Sequence, residues 1–129
     1  MNIIVTGPLT DQQRDIIAAL ERIRHIKTVF HFATGEETIN FHRKIKPSII
    51  FIDIIMRGMT GIETARWIKE QDKGIKIILY SSNFNKEFVF AGMKNGLDGY
   101  IKKNSDPKLL RYIIKAVLSK PSYFIISNN

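Results

Sequence analysis

The chain has 129 residues, no cysteine, and 20 Lys+Arg against 12 Asp+Glu, for a net charge of +8. That length suits one domain with a proper core, and the lack of cysteine excludes disulfides and thiolate metal sites and fits a cytosolic setting. No apolar run approaches the ~20 residues a membrane span needs, Met1-Asn2-Ile3 has no basic region ahead of its apolar run as a signal peptide would, and the charge favours acidic partners: nucleic acid, an acidic protein face or phosphorylated groups.

Asn2–Thr6 is a short apolar run that ends at Gly7-Pro8. Thr10 and Gln13 have capping-box spacing, and Ile16, Ile17, Leu20 and Ile23 follow at helical period. Thr28–Phe32 is a second strand candidate, rich in β-branched and aromatic residues. Thr34 and Glu37 open a second helix, which Pro47 closes. Ile49–Asp53 is a third strand, apolar on both faces, as in a sheet covered on both sides. Thr60 and Glu63 open a third helix with Ile62, Ala65 and Ile68 on its core face, and Gly74 ends it. Ile75–Tyr80 is the fourth strand. Lys86–Asn95 reads as a helix, with Gly96 where a C-terminal cap belongs. Gly92 inside it either leaves the helix locally soft or permits close packing. Gly99–Lys102 is a short fifth strand. Ser105-Asp106-Pro107 starts the last helix, whose apolar face is Leu109, Leu110, Ile113, Ile114 and Val117.

Strand and helix alternate five times with short connections, which argues a parallel five-stranded sheet with helices on both faces. Ligands in such sheets sit beyond the carboxyl ends of the strands, where the strand order reverses. With the common order 2-1-3-4-5 as template, that crevice lies between strands one and three. Asp53 ends strand three at its mouth. A core does not tolerate a lone carboxylate there; a site needs one. Strand four ends in Tyr80-Ser81-Ser82 and strand five in Lys102-Lys103, which brings a hydroxyl and an ammonium to adjacent strand ends. Taken singly, Asp53 reads as a turn cap, Ser81 as a turn former and Lys103 as a solvated lysine. Taken together they suit phosphoryl chemistry. A carboxylate can attack phosphorus to form an acyl phosphate, and the ammonium and hydroxyl can meet the transferred charge.

These blocks resemble the receiver domain of two-component response regulators over nearly the whole chain. "KPSIIFIDIIMRGMTGIETARWIK" is similar to the family's strand-three block, and the loop Met56-Arg57-Gly58-Met59-Thr60-Gly61 stands where the family usually has Met-Pro-Gly-Met-Asp-Gly. "NGLDGYIKK" is similar to the block before the family's lysine. The resemblance implies a flavodoxin-like (βα)5 three-layer sandwich. It implies Asp53 as phospho-acceptor, Ser81 as phosphoryl contact and switch, Lys103 as charge partner and Tyr100 as aromatic switch. At most it implies self-phosphorylation and dephosphorylation at Asp53, not a classical enzyme.

One motif departs. Receivers carry two adjacent acids after strand one that hold Mg²⁺; this chain has Thr6-Gly7 there, and Val5, Pro8 and Leu9 beside them are also non-acidic. Asp11 falls in the first helical turn, where it favours the helix dipole rather than the crevice. Mg²⁺ wants near-octahedral oxygen ligands. Here the family pattern leaves a weakened site of at most Asp53, the Ile55 backbone carbonyl and Thr6, with Arg57 able to add charge beside Lys103. Two readings follow. Asp53 is phosphorylated by a histidine kinase or a phosphotransfer protein, or the domain is a pseudo-receiver that binds proteins without phosphoryl transfer.

In the family, the face of helix four, strand five and helix five carries the signal. Here that face holds Lys94, Lys102, Lys108, Arg111 and Lys115, and Trp67 sits off the apolar stripe of helix three. The resemblance to receivers of helix-turn-helix transcription regulators implies a cytoplasmic protein, a homodimer when active, no membrane, and DNA contact only through an output domain not in this chain. Residues 1–120 then form the receiver, and 121–129, which include "PSYFIIS", an extension or the start of a linker. Three rivals are weaker. "TGPLT" does not make a phosphate loop for a nucleotide or flavin. His25, His31 and His42 lie at no predicted strand end, against a hydrolase. Direct nucleic-acid binding rests on charge alone.

Overall fold

The computed structural model describes residues 1–103, 106–119 and 124–127. The expected alternation is present: β1 (Asn2–Thr6), α1 (Asp11–Glu21), β2 (Thr28–Phe32), α2 (Gly35–Ile45), β3 (Ile49–Asp53), α3 (Gly61–Gln71), β4 (Lys76–Ser81), α4 (Lys86–Lys94), β5 (Gly99–Lys102) and α5 (Pro107–Ser119). The fourth strand starts one residue later than Ile75 and runs through Ser81. Ser105, the expected cap of the last helix, lies outside the described residues, as does Lys120 at the expected domain boundary. Asp106 Oδ1 accepts the Lys108 N–H at 2.7 Å where α5 begins.

The sheet has six strands, not five. Its order is β2-β1-β3-β4-β5-β6, so the expected order 2-1-3-4-5 is kept and a strand is added beyond it. β6 (Ile125–Ser127) pairs parallel to β5, with Gly99 opposite Ile125 and Ile101 opposite Ser127. Three residues behind a proline carry too little pattern to announce a strand. What makes the strand is the open edge of β5, whose backbone groups need partners.

Two apolar layers cover the sheet. Ile3, Val5, Phe51, Ile78 and Tyr80 face Leu20 of α1 and Ile113 and Val117 of α5. Ile4, Ile50, Ile52, Ile77 and Leu79 face Ala65 and Ile68 of α3 and Val89 of α4. β3 is buried at every position, which is why it reads as a continuous apolar run rather than an alternating one. Among the described residues, no helix is long and apolar enough to cross a membrane.

The three expected capping boxes differ. Only Thr60–Glu63 closes in both directions. Thr34 Oγ1 accepts the Glu37 N–H and donates to the Glu37 carboxylate, so Glu37 does not return to the backbone. Thr10 Oγ1 accepts the Gln13 N–H at 3.2 Å, but the Gln13 side chain turns into the core instead of back to Thr10.

Gly92 leaves room for the added strand. A Cβ there would stand 2.8 Å from two ring carbons of Phe124 and 3.3 Å from Leu79. The glycine in α4 therefore serves packing, and its cost of about 1 kcal/mol in a helix is the condition for seating Phe124. Replacing Gly92 by Leu is expected to displace Phe124 and to speed hydrogen exchange at the Ile125 amide, which is bonded to Asp98 O at 3.0 Å, with helix content unchanged by circular dichroism.

The amino-terminal end of β5 is held by Asp98. Its buried carboxylate accepts the Ile77 N–H at 2.8 Å and the Lys69 ammonium at 2.8 Å, with Lys76 at 3.9 Å. Removing one member of such a set leaves uncompensated buried groups. Asp98→Ala is expected to lower unfolding stability by about 3 kcal/mol, read from urea denaturation.

Candidate functional site

Three strand ends meet at one edge of the sheet. Asp53 closes β3 opposite Tyr80 of β4, and Ser81 of β4 lies opposite Lys102 of β5. The Lys103 N–H donates to Ser81 O at 2.7 Å, which fixes the residue just past β5. Its side chain then crosses the face of Tyr80, with Nζ 5.2 Å from the ring centroid, and donates to Asp53 Oδ2 at 2.7 Å. Both side chains are more than nine-tenths buried. The other carboxylate oxygen, Oδ1, accepts the Ile55 N–H at 3.1 Å. Asp53 therefore has a donor on each oxygen.

A cleft of about 480 Å³ opens over this pair, with Pro8, Ile55, Ser81, Phe84 and Phe88 among its walls. Ile55 is 71% exposed at its rim. Ser81 does not point at Asp53. Its hydroxyl donates to Asn83 O at 2.7 Å and pairs with the Tyr100 hydroxyl. Tyr100 is fully buried, its hydroxyl also donates to Asn83 O at 3.0 Å, and Phe84 packs edge-on at 5.7 Å. The expected four residues thus form two linked pairs: Asp53 with Lys103, and Ser81 with Tyr100.

Three residues of the site escaped the sequence reading. Tyr80 read only as the end of strand four, yet its hydroxyl donates to Gln13 Oε1 and toward Thr6 O at 3.3 Å. Burial, then the nearby Asp53 charge, push the Tyr80 phenol well above its ordinary range, against the pull of the Gln13 bond. It stays a donor. Gln13 read as a cap partner; a polar residue on a helix at cap spacing gives no sign that it will be buried. His31 read as mid-strand, yet its Nε2 lies 2.7 Å from Gly7 O, while the Gly7 N–H donates to Phe32 O at 2.9 Å. Those two bonds pin the segment after β1.

The model of the response regulator receiver domain family matches residues 10–115. The chain belongs to that family. The match begins at Thr10, after the segment where this receiver lacks the family's acids. NarL of Escherichia coli, a nitrate/nitrite response regulator protein, is 31% identical over 64% of the chain, and DesR of Bacillus subtilis, a transcriptional regulatory protein, is 28% identical over 86%. The chain spans 38% of NarL and 57% of DesR. A LuxR-family two-component response regulator from an Aurantimonas species superposes with a TM-score of 0.84 at 25% identity, covering 92% of this chain and 84% of that one.

The donors of this receiver do not fit Mg²⁺. The ion needs about six oxygens in near-octahedral array, with one or two carboxylates from the protein. Here, among the described residues, the cleft is lined by one carboxylate, Asp53, and both its oxygens already accept hydrogen bonds. The Thr6 hydroxyl, expected as a neutral ligand, faces Thr38 Oγ1 at 2.6 Å on the other side of the sheet. Asp11 is exposed and bridges to Arg14 at 3.4 Å, and Arg57 is exposed on its loop. Among the described residues, no three of His, Cys, Asp or Glu gather at one point.

Gly7 is not a vacant seat for an acid. Its φ is +150°, and a Cβ would lie 2.7 Å from Asp53 Cβ. Side chains are rarely tolerated in that backbone region, and the neighbour is the site's own carboxylate. Gly7→Asp is expected to cost about 1–3 kcal/mol of stability, measured as a lower urea midpoint.

Proposed function

We propose that this chain is the receiver of a two-component response regulator in which Asp53 accepts a phosphoryl group from a histidine kinase or a phosphotransfer protein. The observation that carries the reading is the Asp53–Lys103 pair at the mouth of the cleft, 2.7 Å apart. An Asp53 oxygen would form the new bond to phosphorus as the P–N bond of a phosphohistidine breaks and the imidazole leaves. Lys103 would move from the free carboxylate to the phosphoryl oxygens, where its charge answers the greater negative charge. Ser81 would release Tyr100 and donate to the same oxygens. The face of α4, β5 and α5 would then change with Tyr100, and a homodimer would carry the change to DNA through an output domain, in the cytoplasm. The similarity to NarL, DesR and the LuxR-family regulator supports the transcriptional assignment.

A second reading has its own support. Tyr100 is already inside and bonded to Ser81, and the acids of the metal site are replaced. A pseudo-receiver that keeps this arrangement would act by protein–protein contact alone.

Intact-mass analysis after incubation with a small phosphodonor separates the two. The first reading expects one phosphoryl adduct, absent in Asp53→Asn. The second expects no adduct with or without added Mg²⁺, and partner binding that is indifferent to Asp53→Asn.

A further inference from the structure

Gln13 is fully buried, and its Nε2 is one of two buried side-chain nitrogens without a hydrogen-bond partner among the described residues. Buried donors are seldom left unmade, and one that is invites an explanation in a missing partner. Its place is informative. The point where a Gly7 Cβ would sit is 3.2 Å from Gln13 Nε2 and 3.3 Å from Asp53 Oδ2. The amide donor and the carboxylate therefore lie on either side of the buried Gly7. The orientation of the amide is set from behind. Tyr80 gives its proton to Oε1, so the acceptor end is used and the NH₂ end turns to Gly7 and Asp53.

We infer that Gln13 replaces the function of a metal in this crevice: with Lys103 it forms a pair of donors that receives a tetrahedral oxyanion at Asp53 without a divalent cation. Where the family places two carboxylates that attract a cation, this chain places a glycine and an amide donor that attract negative charge. The sign of the site is reversed. A cation would meet the Lys103 ammonium and the Gln13 N–H; a phosphoryl group on Asp53 would find both as donors. Gly7 is needed because any side chain at that point would separate the amide from the carboxylate. His31 and Phe32 hold the glycine there through its two backbone bonds. The inference rests on the reading of Asp53 as the phosphoryl-receiving group, but it is tested apart from it.

The probe is inorganic phosphate, added to the whole chain in the presence of EDTA and followed by nuclear magnetic resonance at the Gln13 side-chain NH₂ and the Gly7 and Ile55 amides. The wild-type chain should bind, with the Gln13 protons shifting. Gln13→Met keeps the volume and removes the donor; it should weaken phosphate by about tenfold or more, as loss of a hydrogen bond to a charged group does. Gln13→Glu keeps an acceptor for Tyr80 and puts a carboxylate in place of the donor. It should abolish phosphate binding and bring in Mn²⁺, read as paramagnetic broadening at Gly7 and Ile55 that the wild type lacks. Urea curves confirm that both variants fold, and Gln13→Glu alone decides if Gln13→Met does not. Equal phosphate affinity in wild type and variants, or wild-type binding that requires Mg²⁺, overturns the inference. If phosphate binds through Gln13 but no phosphodonor modifies Asp53, the inference stands and the phospho-acceptor reading fails. If Asp53 is modified equally in EDTA with Gln13→Met, the reading stands and the inference fails.

Discussion

The site depends on one ion pair that must span two strand spacings. β3 and β5 are not neighbours; β4 runs between them, so Asp53 and the end of β5 are separated by roughly 9.5 Å of sheet. Lys103 covers that distance by laying its chain across Tyr80. The ring is thus a bridge as well as a core residue, since it holds the ammonium by its π face on the way to the carboxylate. Two charges more than nine-tenths buried carry a large desolvation cost, offset only by close geometry and further hydrogen bonds. The 2.7 Å contact, the Ile55 N–H on the other oxygen and the Tyr80 face supply them. Among the described residues Lys103 is the one charge paired with Asp53, so the lysine that would serve a phosphoryl group is also what makes the free carboxylate tolerable.

That dual duty follows from the loss of the acids. Two more carboxylates would put three negative charges around one lysine and would make a cation the natural neutraliser. With Thr6 facing Thr38 and Gly7 bare, the charge at Asp53 is already matched one to one. The segment after β1 has been rebuilt to suit. His31 and Phe32 pin Gly7, Gly7 packs on Asp53, and Gln13 closes the back through Tyr80. These contacts cross from β2 through α1 to β4, so the change at positions 6 and 7 is embedded in several elements and is not a local deletion.

Much of this was legible in the sequence, for identifiable reasons. Strands buried on both faces give unbroken apolar runs, and "SIIFID" could hardly be anything else. Parallel topology sends every strand's carboxyl end to the same edge, so Asp53, Ser81 and Lys103 could be grouped from strand ends alone. The contacts that stayed hidden involve side chains whose direction the pattern does not fix. Gln13 has the spacing of a cap residue, and its burial depends on what Tyr80 offers from another element. Tyr80 is apolar enough to vanish into the core, and its hydroxyl shows only once α1 is docked. β6 lacks local signal because its three residues are made a strand by the edge of β5.

The hidden strand bears on how a signal could leave the site. Tyr100 belongs to the same buried cluster as Leu79, Val89 and Leu97, and Phe124 packs against that cluster. Phe124 is seated by Gly92, and the strand that follows it is bonded to β5 beside Tyr100 itself, which lies opposite Ile126. Close-packed interiors change between discrete arrangements rather than yield continuously. Tyr100 therefore cannot leave its place between Ser81 and Asn83 without disturbing the packing that Phe124 shares. In the proposed switch, β6 and the Ser81–Tyr100 pair would act on one equilibrium from opposite sides: the hydroxyl pair from the crevice, the added strand from the edge of the sheet.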